Sequence, residues 1–170
     1  LNQVLDKGEA WMDYSRKHRE YENQTGPVRR GVGCALFWYN TAVWPISLES
    51  CSCRMVLNQD GSIQLQTGET EIGQGCDTAF AQMAADAVGI PVSDVHVVTA
   101  QDTDVTPFGT GAYASRQTYV GGFAIAQTGA LLKERILKYA CELTRQMPAL
   151  LDIVDGRIIR RTDGRVLMTL

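Results

Sequence analysis

Two glycine-rich turns hold the residues best suited to chemistry. The first, Gly68 to Gly75, reads GETEIGQG and runs straight into a helical pattern. The second, Gly109 to Ser115, does the same. The first turn of a helix leaves backbone N–H groups without partners, at the end where its dipole is positive. Glycines ahead of it let a ligand approach the backbone. Such a layout suits an anion such as phosphate or carboxylate. The first turn offers Gly73, Gln74, Gly75 and the Thr78 hydroxyl; the second offers Thr110, Ser115, Gln117 and the Arg116 guanidinium, a group shaped for bidentate phosphate contact. Glycine-rich turns before helices also occur with no ligand, and these two match neither the Gly-Lys-Ser/Thr loop nor GxGxxG.

The other candidate groups carry less. Glu69 and Glu71 lie two apart on the approach to the first turn and read as surface charges with no catalytic role. Asp102 and Asp104 offer oxygen ligands without a third. His18 stands in a charged stretch and reads as solvated. His96 alternates with valines and reads as structural. The five cysteines form no CxxC pair, since Cys51 and Cys53 are two apart, and the two histidines complete no zinc set. They read as reduced thiols of a cytoplasmic protein, and no protein-held metal is expected. The net charge of −3 argues against a nucleic-acid or anionic-membrane surface. No apolar run approaches the roughly 20 residues of a membrane helix. The start, Leu1 to Asp6, lacks both a basic signal-peptide region and an initiator methionine, so the chain is expected to be an excised piece.

The elements that must position the turns follow from periodicity. Val4 to Glu22 predicts one amphipathic helix. Gly31 to Tyr39 is apolar and β-rich and predicts a buried strand. Asn40 to Glu49, with Trp44 and Pro45, predicts a loop that packs. Ser52–Leu57 and Ser62–Thr67 alternate around Asp60-Gly61, which predicts a hairpin. Thr78 to Val88 predicts a helix stopped by Gly89 and Pro91. Asp94 to Thr99 predicts a strand. Gln117 to Arg145 predicts a long helix, kinked or frayed near Gly121 and Gly122. Ile153 to Leu170 predicts short strands. The expected class is α+β, a mixed sheet with β-hairpins and helices packed on one face, as a fragment of a larger subunit. The expected division is an N-terminal helix over 1–25, a cofactor-binding core over 26–147 and short strands over 148–170.

Several linked motifs stand in one order: EIGQGxxT from Glu71, GIPxxxV from Gly89, and DTDxxPxGxGxxASR from Asp102 to Arg116. Over roughly Gly31 to Ile136 the sequence resembles the molybdenum hydroxylase family, the xanthine dehydrogenase and aldehyde oxidoreductase group. The similar part is the molybdopterin-binding region of the large catalytic subunit. The resemblance implies an oxidoreductase that hydroxylates a purine or aldehyde with oxygen from water. It implies molybdopterin as cofactor, in mononucleotide or dinucleotide form, with the metal held by the pterin and not by side chains. It implies cofactor contacts at Gly73, Gln74, Gly75, Cys76 and Thr78, and at Asp102, Thr103, Ala112, Tyr113, Ala114, Ser115 and Arg116. Position 76 is usually apolar in the family; here a thiol fills it.

The family's catalytic base, a glutamate in a downstream glycine-rich motif, matches nothing in these 170 residues. No catalytic residue is therefore assigned, and the fragment alone is expected to be inactive. The expected partners are the rest of the molybdenum subunit, iron–sulfur and flavin subunits or domains carrying the FAD and clusters, and a small-molecule substrate. Two readings compete with this one: a free-standing phosphate- or nucleotide-binding module without redox chemistry, and a structural domain that binds nothing.

Overall fold

The structure is a computed structural model that describes residues 1–43, 45 and 49–170. It divides into two compact units, Leu1–Trp38 and Tyr39–Leu170. Trp44, in the expected 40–49 loop, lies outside the described residues.

The single N-terminal helix expected from the sequence is two helices, α1 (Asn2–Met12) and α2 (Tyr14–Glu22). Asp13 breaks it by adopting the left-handed conformation at φ 52°, which Asp tolerates better than most residues. Its N–H bonds the Glu9 carbonyl, and the Glu9 carboxylate takes the orphan Ser15 N–H at 3.0 Å. Periodicity continues across the break, so the pattern did not show it. The expected strand at Gly31 to Tyr39 is a second correction. These residues form no strand pairing among the described residues, and Phe37 is 90% exposed and Trp38 81%. An apolar run becomes a strand only where an edge receives its N–H and C=O groups.

In the second unit, β1 (Cys53–Leu57) and β2 (Ile63–Thr67) form the expected hairpin, in register from Cys53 opposite Thr67 to Leu57 opposite Ile63. The Asp60 carboxylate holds its tip, accepting from the Ser62 N–H at 3.0 Å and the Ser62 hydroxyl at 2.7 Å. The chain then passes through the first glycine turn into α3 (Cys76–Val88) and returns along β3 (Val95–Val97). Strand β3 lies parallel to β2, Ile63 opposite Val95. The β2–α3–β3 crossover therefore places the first turn at the end of β2 and the start of α3. Helix α3 begins two residues before the expected Thr78 and stops at Gly89, as its sequence indicates.

The long second helix is continuous but starts with a π-helical turn, Gln117–Gly121, before α4 (Gly122–Thr144). The irregularity expected near Gly121 is this wider turn. Strands β4 (Leu151–Val154), β5 (Arg157–Arg160) and β6 (Val166–Thr169) make a separate antiparallel sheet. The class is α+β: a mixed and an antiparallel sheet with α3 and α4 packed together against them. Ile63 and Leu65 of β2, Phe80, Ala84 and Val88 of α3, Ile125 of α4, and Leu151, Ile153 and Ile158 form one core. Burial of Phe80 alone contributes about 1.5–3 kcal/mol. No helix among the described residues is long and apolar enough to cross a membrane.

Candidate functional site

Both glycine turns meet on one side of the second unit. Their backbones touch at Gly68 and Gly109. A Cβ on Gly68 would stand 2.2 Å from the Gly109 nitrogen, and one on Gly109 would stand 2.3 Å from the Gly68 oxygen. Only residues without a side chain allow this approach. Ser52 bridges the pair, its N–H bonding the Phe108 oxygen at 2.8 Å and its oxygen accepting from the Gly68 N–H at 3.2 Å.

Glu71 organises the first turn. Its Oε1 accepts the N–H of Gly73 at 2.7 Å and of Gly75 at 3.0 Å, and its Oε2 accepts that of Asp77 at 3.2 Å. These bonds, the Gly75 and Asp77 amides foremost, hold its carboxyl down at about 2. The start of α3 is thus already capped by a carboxylate of the chain itself. This corrects the expectation that an external anion takes these amides, and the reading of Glu71 as a surface charge.

Burial, then the charges of Glu71 and Asp77, push the Cys76 thiol up to about 12, so it stays protonated. Glu71, Cys76 and Asp77 bring potential ligand atoms within 4.8 Å of one another. With Glu71 accepting three backbone amides and Cys76 a neutral thiol, the trio is poorly suited to a cation, and Glu71 alone caps the helix. Gln74 is tied down as well. Its oxygen accepts the Ile72 N–H at 2.7 Å, and its amide nitrogen donates to the Thr70 oxygen at 3.1 Å and to the Gln117 side chain.

The second turn is built around Arg116, which is fully buried. Nε donates to Glu49 at 2.6 Å, Nη1 to Glu69 at 2.6 Å and to the Gly111 oxygen at 2.9 Å, and Nη2 to the Ser50 oxygen at 2.6 Å. The Glu49 carboxyl is lowered chiefly by that hydrogen bond from Arg116. The guanidinium also lies 5.6 Å from the centre of the Tyr113 ring. Arg116 was expected to present its charge to a phosphate; it instead neutralises two glutamates inside the protein. Glu69, expected on the surface, is 1% exposed.

Ahead of Arg116, Ala114 and Ser115 both hold φ of 48°. Left-handed backbone at residues with a Cβ costs roughly 1–2 kcal/mol each. The Ala114 N–H donates to the Tyr39 hydroxyl at 2.9 Å, and the Ala114 oxygen accepts the Ala42 N–H at 2.6 Å.

Between the turns lies a pocket of about 350 Å³. Of the residues expected at a cofactor site, it is lined by Gln74, Gly75, Cys76, Ala112, Tyr113, Ser115 and Arg116. Gly73 and Thr78 are exposed beside it, and Ala114 is buried behind it. Asp102 and Thr103 are not brought there. They line a second cavity of about 300 Å³ with Gly68 and Gly109. Asp102 orders its own turn, its carboxylate accepting the Asp104 N–H at 2.9 Å. Gln117, named in the second turn, lines it too; Tyr39, Ile72, Ala79 and Thr118 complete the first pocket and were not singled out from the sequence. The burial of Glu69 did leave a signal. Ile63, Leu65, Thr67 and Glu69 continue one period of two, and all four face inward.

The pocket offers neutral hydrogen-bonding groups: the Ser115, Thr118 and Tyr39 hydroxyls, the one N–H that the Gln117 amide keeps after bonding Thr70, and the second lone pair of the Gln74 oxygen. A Cβ added at Gly73 or Gly75 meets nothing within 4 Å, so the first turn leaves room for a ligand against its backbone. Mixed donors and acceptors of this kind match a flat heterocycle with amide-like edges, such as a pterin. With Arg116 neutralised by its own glutamates, the same set is poorly built for a bare phosphate.

The chain is similar to known proteins. The chain is 46% identical over 159 residues to a putative xanthine dehydrogenase molybdenum-binding subunit of Escherichia coli (strain K12), covering 94% of this chain and 21% of that protein. It is 31% identical over 152 residues to the carbon monoxide dehydrogenase large chain of Hydrogenophaga pseudoflava, covering 84% and 19%. Quinoline 2-oxidoreductase from Pseudomonas putida 86 matches in structure with a TM-score of 0.63 at 28% identity, over 71% of this chain and 15% of that one. The chain therefore spans about a fifth of the length of these curated relatives. A family model described as the molybdopterin cofactor-binding domain matches residues 7–169. That match, which spans nearly the whole chain, places it in the molybdopterin cofactor-binding domain family.

Proposed function

We propose that this chain is the cofactor-holding part of a molybdenum hydroxylase acting on a purine or aldehyde, with the pterin in the pocket between the two glycine turns. The observation that supports the assignment most directly is the pocket itself. It is walled by α3 and the 112–118 segment, lined by amides and hydroxyls, and roomy at Gly75. Gln74, Gly75, Cys76, Ala112, Tyr113 and Ser115 would hold the pterin, and the whole pocket falls inside the 26–147 core. When bound, the cofactor supplies the two-electron oxidation of a substrate C–H bond. The chain's own part is to hold and orient the pterin and keep water from it.

No carboxylate lines the pocket among the described residues, and the nearby Glu49, Glu69 and Glu71 are engaged in hydrogen bonds. A general base for proton removal would therefore come from outside these 170 residues, and the isolated chain would not turn over. A purine substrate fits relatives named as a xanthine dehydrogenase subunit and a probable hypoxanthine oxidase. The FAD and iron–sulfur clusters would sit on other domains or subunits, and five free cysteines suit a cytoplasmic setting. Capping of α3 by Glu71 speaks against the phosphate-module reading.

The test is Ala79→Trp in the full-length subunit, which fills the pocket with an indole. Molybdenum and acid-released pterin per subunit should fall by about tenfold or more, the scale for loss of a defined binding interaction. Wild-type content in that variant would refute the assignment.

A further inference from the structure

We propose that Arg116 is a positioning residue for the pterin pocket: its buried guanidinium holds the Ala114–Ser115 backbone in the strained shape that forms one wall. The inference rests on the reading of that pocket as the cofactor site.

Arg116 joins three stretches of chain that are far apart in sequence. Glu49 and the Ser50 oxygen belong to one, Glu69 to the first glycine turn, and the Gly111 oxygen to the second. Four of its five N–H donors are taken by these acceptors, and its charge is balanced by Glu49 and Glu69. Immediately before it stand two consecutive left-handed residues that carry side chains. Such backbone persists only where the surroundings over-determine it. Here Arg116 fixes one end, while the Tyr39 hydroxyl and the Ala42 N–H grip the Ala114 peptide groups. Ser115, the second strained residue, lines the pocket.

The cluster also carries an unfavourable feature. It carries two carboxylates against one guanidinium, and Glu69 Oε2 is buried with no hydrogen-bond partner among the described residues. A buried orphan oxygen is unfavourable. A cluster that tolerates one is better explained by the geometry it imposes than by the stability it adds. Lysine could not substitute, because one ammonium cannot reach acceptors spread around a planar fork.

The experiment uses the full-length subunit, with Arg116→Lys alone and combined with Ala114→Gly and Ser115→Gly. Glycine adopts the left-handed conformation without strain. Arg116→Lys should lower pterin and molybdenum content by about 10- to 100-fold, the scale for losing a group that orients a ligand's direct contacts. The added glycines should restore several-fold of that loss; since they also relieve strain, the thermal midpoint is read beside it, and a return of cofactor that only follows a regained midpoint overturns the inference. Wild-type cofactor content in Arg116→Lys overturns the inference, and so does a loss that the glycines leave unchanged. If Arg116→Lys does not fold, Glu49→Gln, at the solvent edge of the cluster, is measured the same way with and without the glycines, and the same outcomes decide. Ala79→Trp separates the two claims. If it loses cofactor while the Arg116 or Glu49 variant keeps it, the site stands and the positioning role falls. If it keeps cofactor, the site reading fails and the positioning role fails with it.

Discussion

Arg116 Nη1 donates to Glu69 Oε1 at 2.6 Å, with both side chains wholly withdrawn from solvent. Removing Glu69 leaves the guanidinium paired with Glu49 alone and Nη1 short of one acceptor. Glu69→Ala should therefore destabilise the protein by about 1–3 kcal/mol, read as a shift of the urea midpoint. Because the pair is dry, added salt should change that difference little. A loss below about 1 kcal/mol, the range of exposed pairs, would show that water reaches the guanidinium.

The Glu71 cap makes a prediction about acid. Its carboxyl titrates at about 2 in the folded protein, against an ordinary 4.5. A depressed folded value means that the stabilisation is fully present above about 4.5 and is lost as pH falls through about 2. Glu71→Gln should lower the thermal midpoint at pH 7. The gap from wild type should close between pH 4.5 and 2. A gap that stays constant over that range would mean that Glu71 does not cap α3 as an anion.

Gln74 gives a sharper test of site against scaffold. From its place between two glycines, its amide was expected to serve the ligand and leave the empty protein's stability unchanged. Its bonds to Ile72, Thr70 and Gln117 now predict that Gln74→Ala lowers the midpoint of the cofactor-free protein as well, by about 1 kcal/mol. Differential scanning calorimetry with and without cofactor reads both effects. An unchanged empty-protein midpoint would restore the purely ligand-facing role.

The Gly68–Gly109 contact predicts that Gly109→Ala pries the turns apart, because its Cβ would stand 2.3 Å from the Gly68 oxygen. The expected cost is at least about 2 kcal/mol, accompanied by reduced cofactor content. Full stability in a thermal melt would mean that the turns separate freely.

What the sequence disclosed follows the range over which its signals act. The hairpin was legible because Asp60-Gly61 sits between two alternating strands, and α3 because Gly89 and Pro91 close it. These are local signals. The Gly31 to Tyr39 run misled because strand formation needs an edge to pair with, which hydrophobicity alone does not supply. Asp13 breaks its helix with no change in the apolar pattern. The two turns were found from their glycines and helix starts, but the functions assigned to their charged groups were not. The partners of Arg116 lie 47 and 67 positions away, and nothing near it in sequence names them. Glu71 was the reverse case: its donors were the N–H groups of the glycines beside it, read as free for a ligand when the chain already used them.

The π-helical turn at Gln117–Gly121 holds one residue more than an α-helical turn would need. Each residue of an α-helix turns the chain by about 100°. Deleting Tyr119 or Val120, both on the outer side of the core, would let this turn relax to ordinary α-geometry. Because the wide turn advances less per residue, losing one there leaves the stretch before it facing nearly the same way relative to α4. A one-residue gap at 119 or 120 is therefore the length change this helix start absorbs best, whereas the same gap within ordinary α-helix would rotate the flanking faces by about 100°.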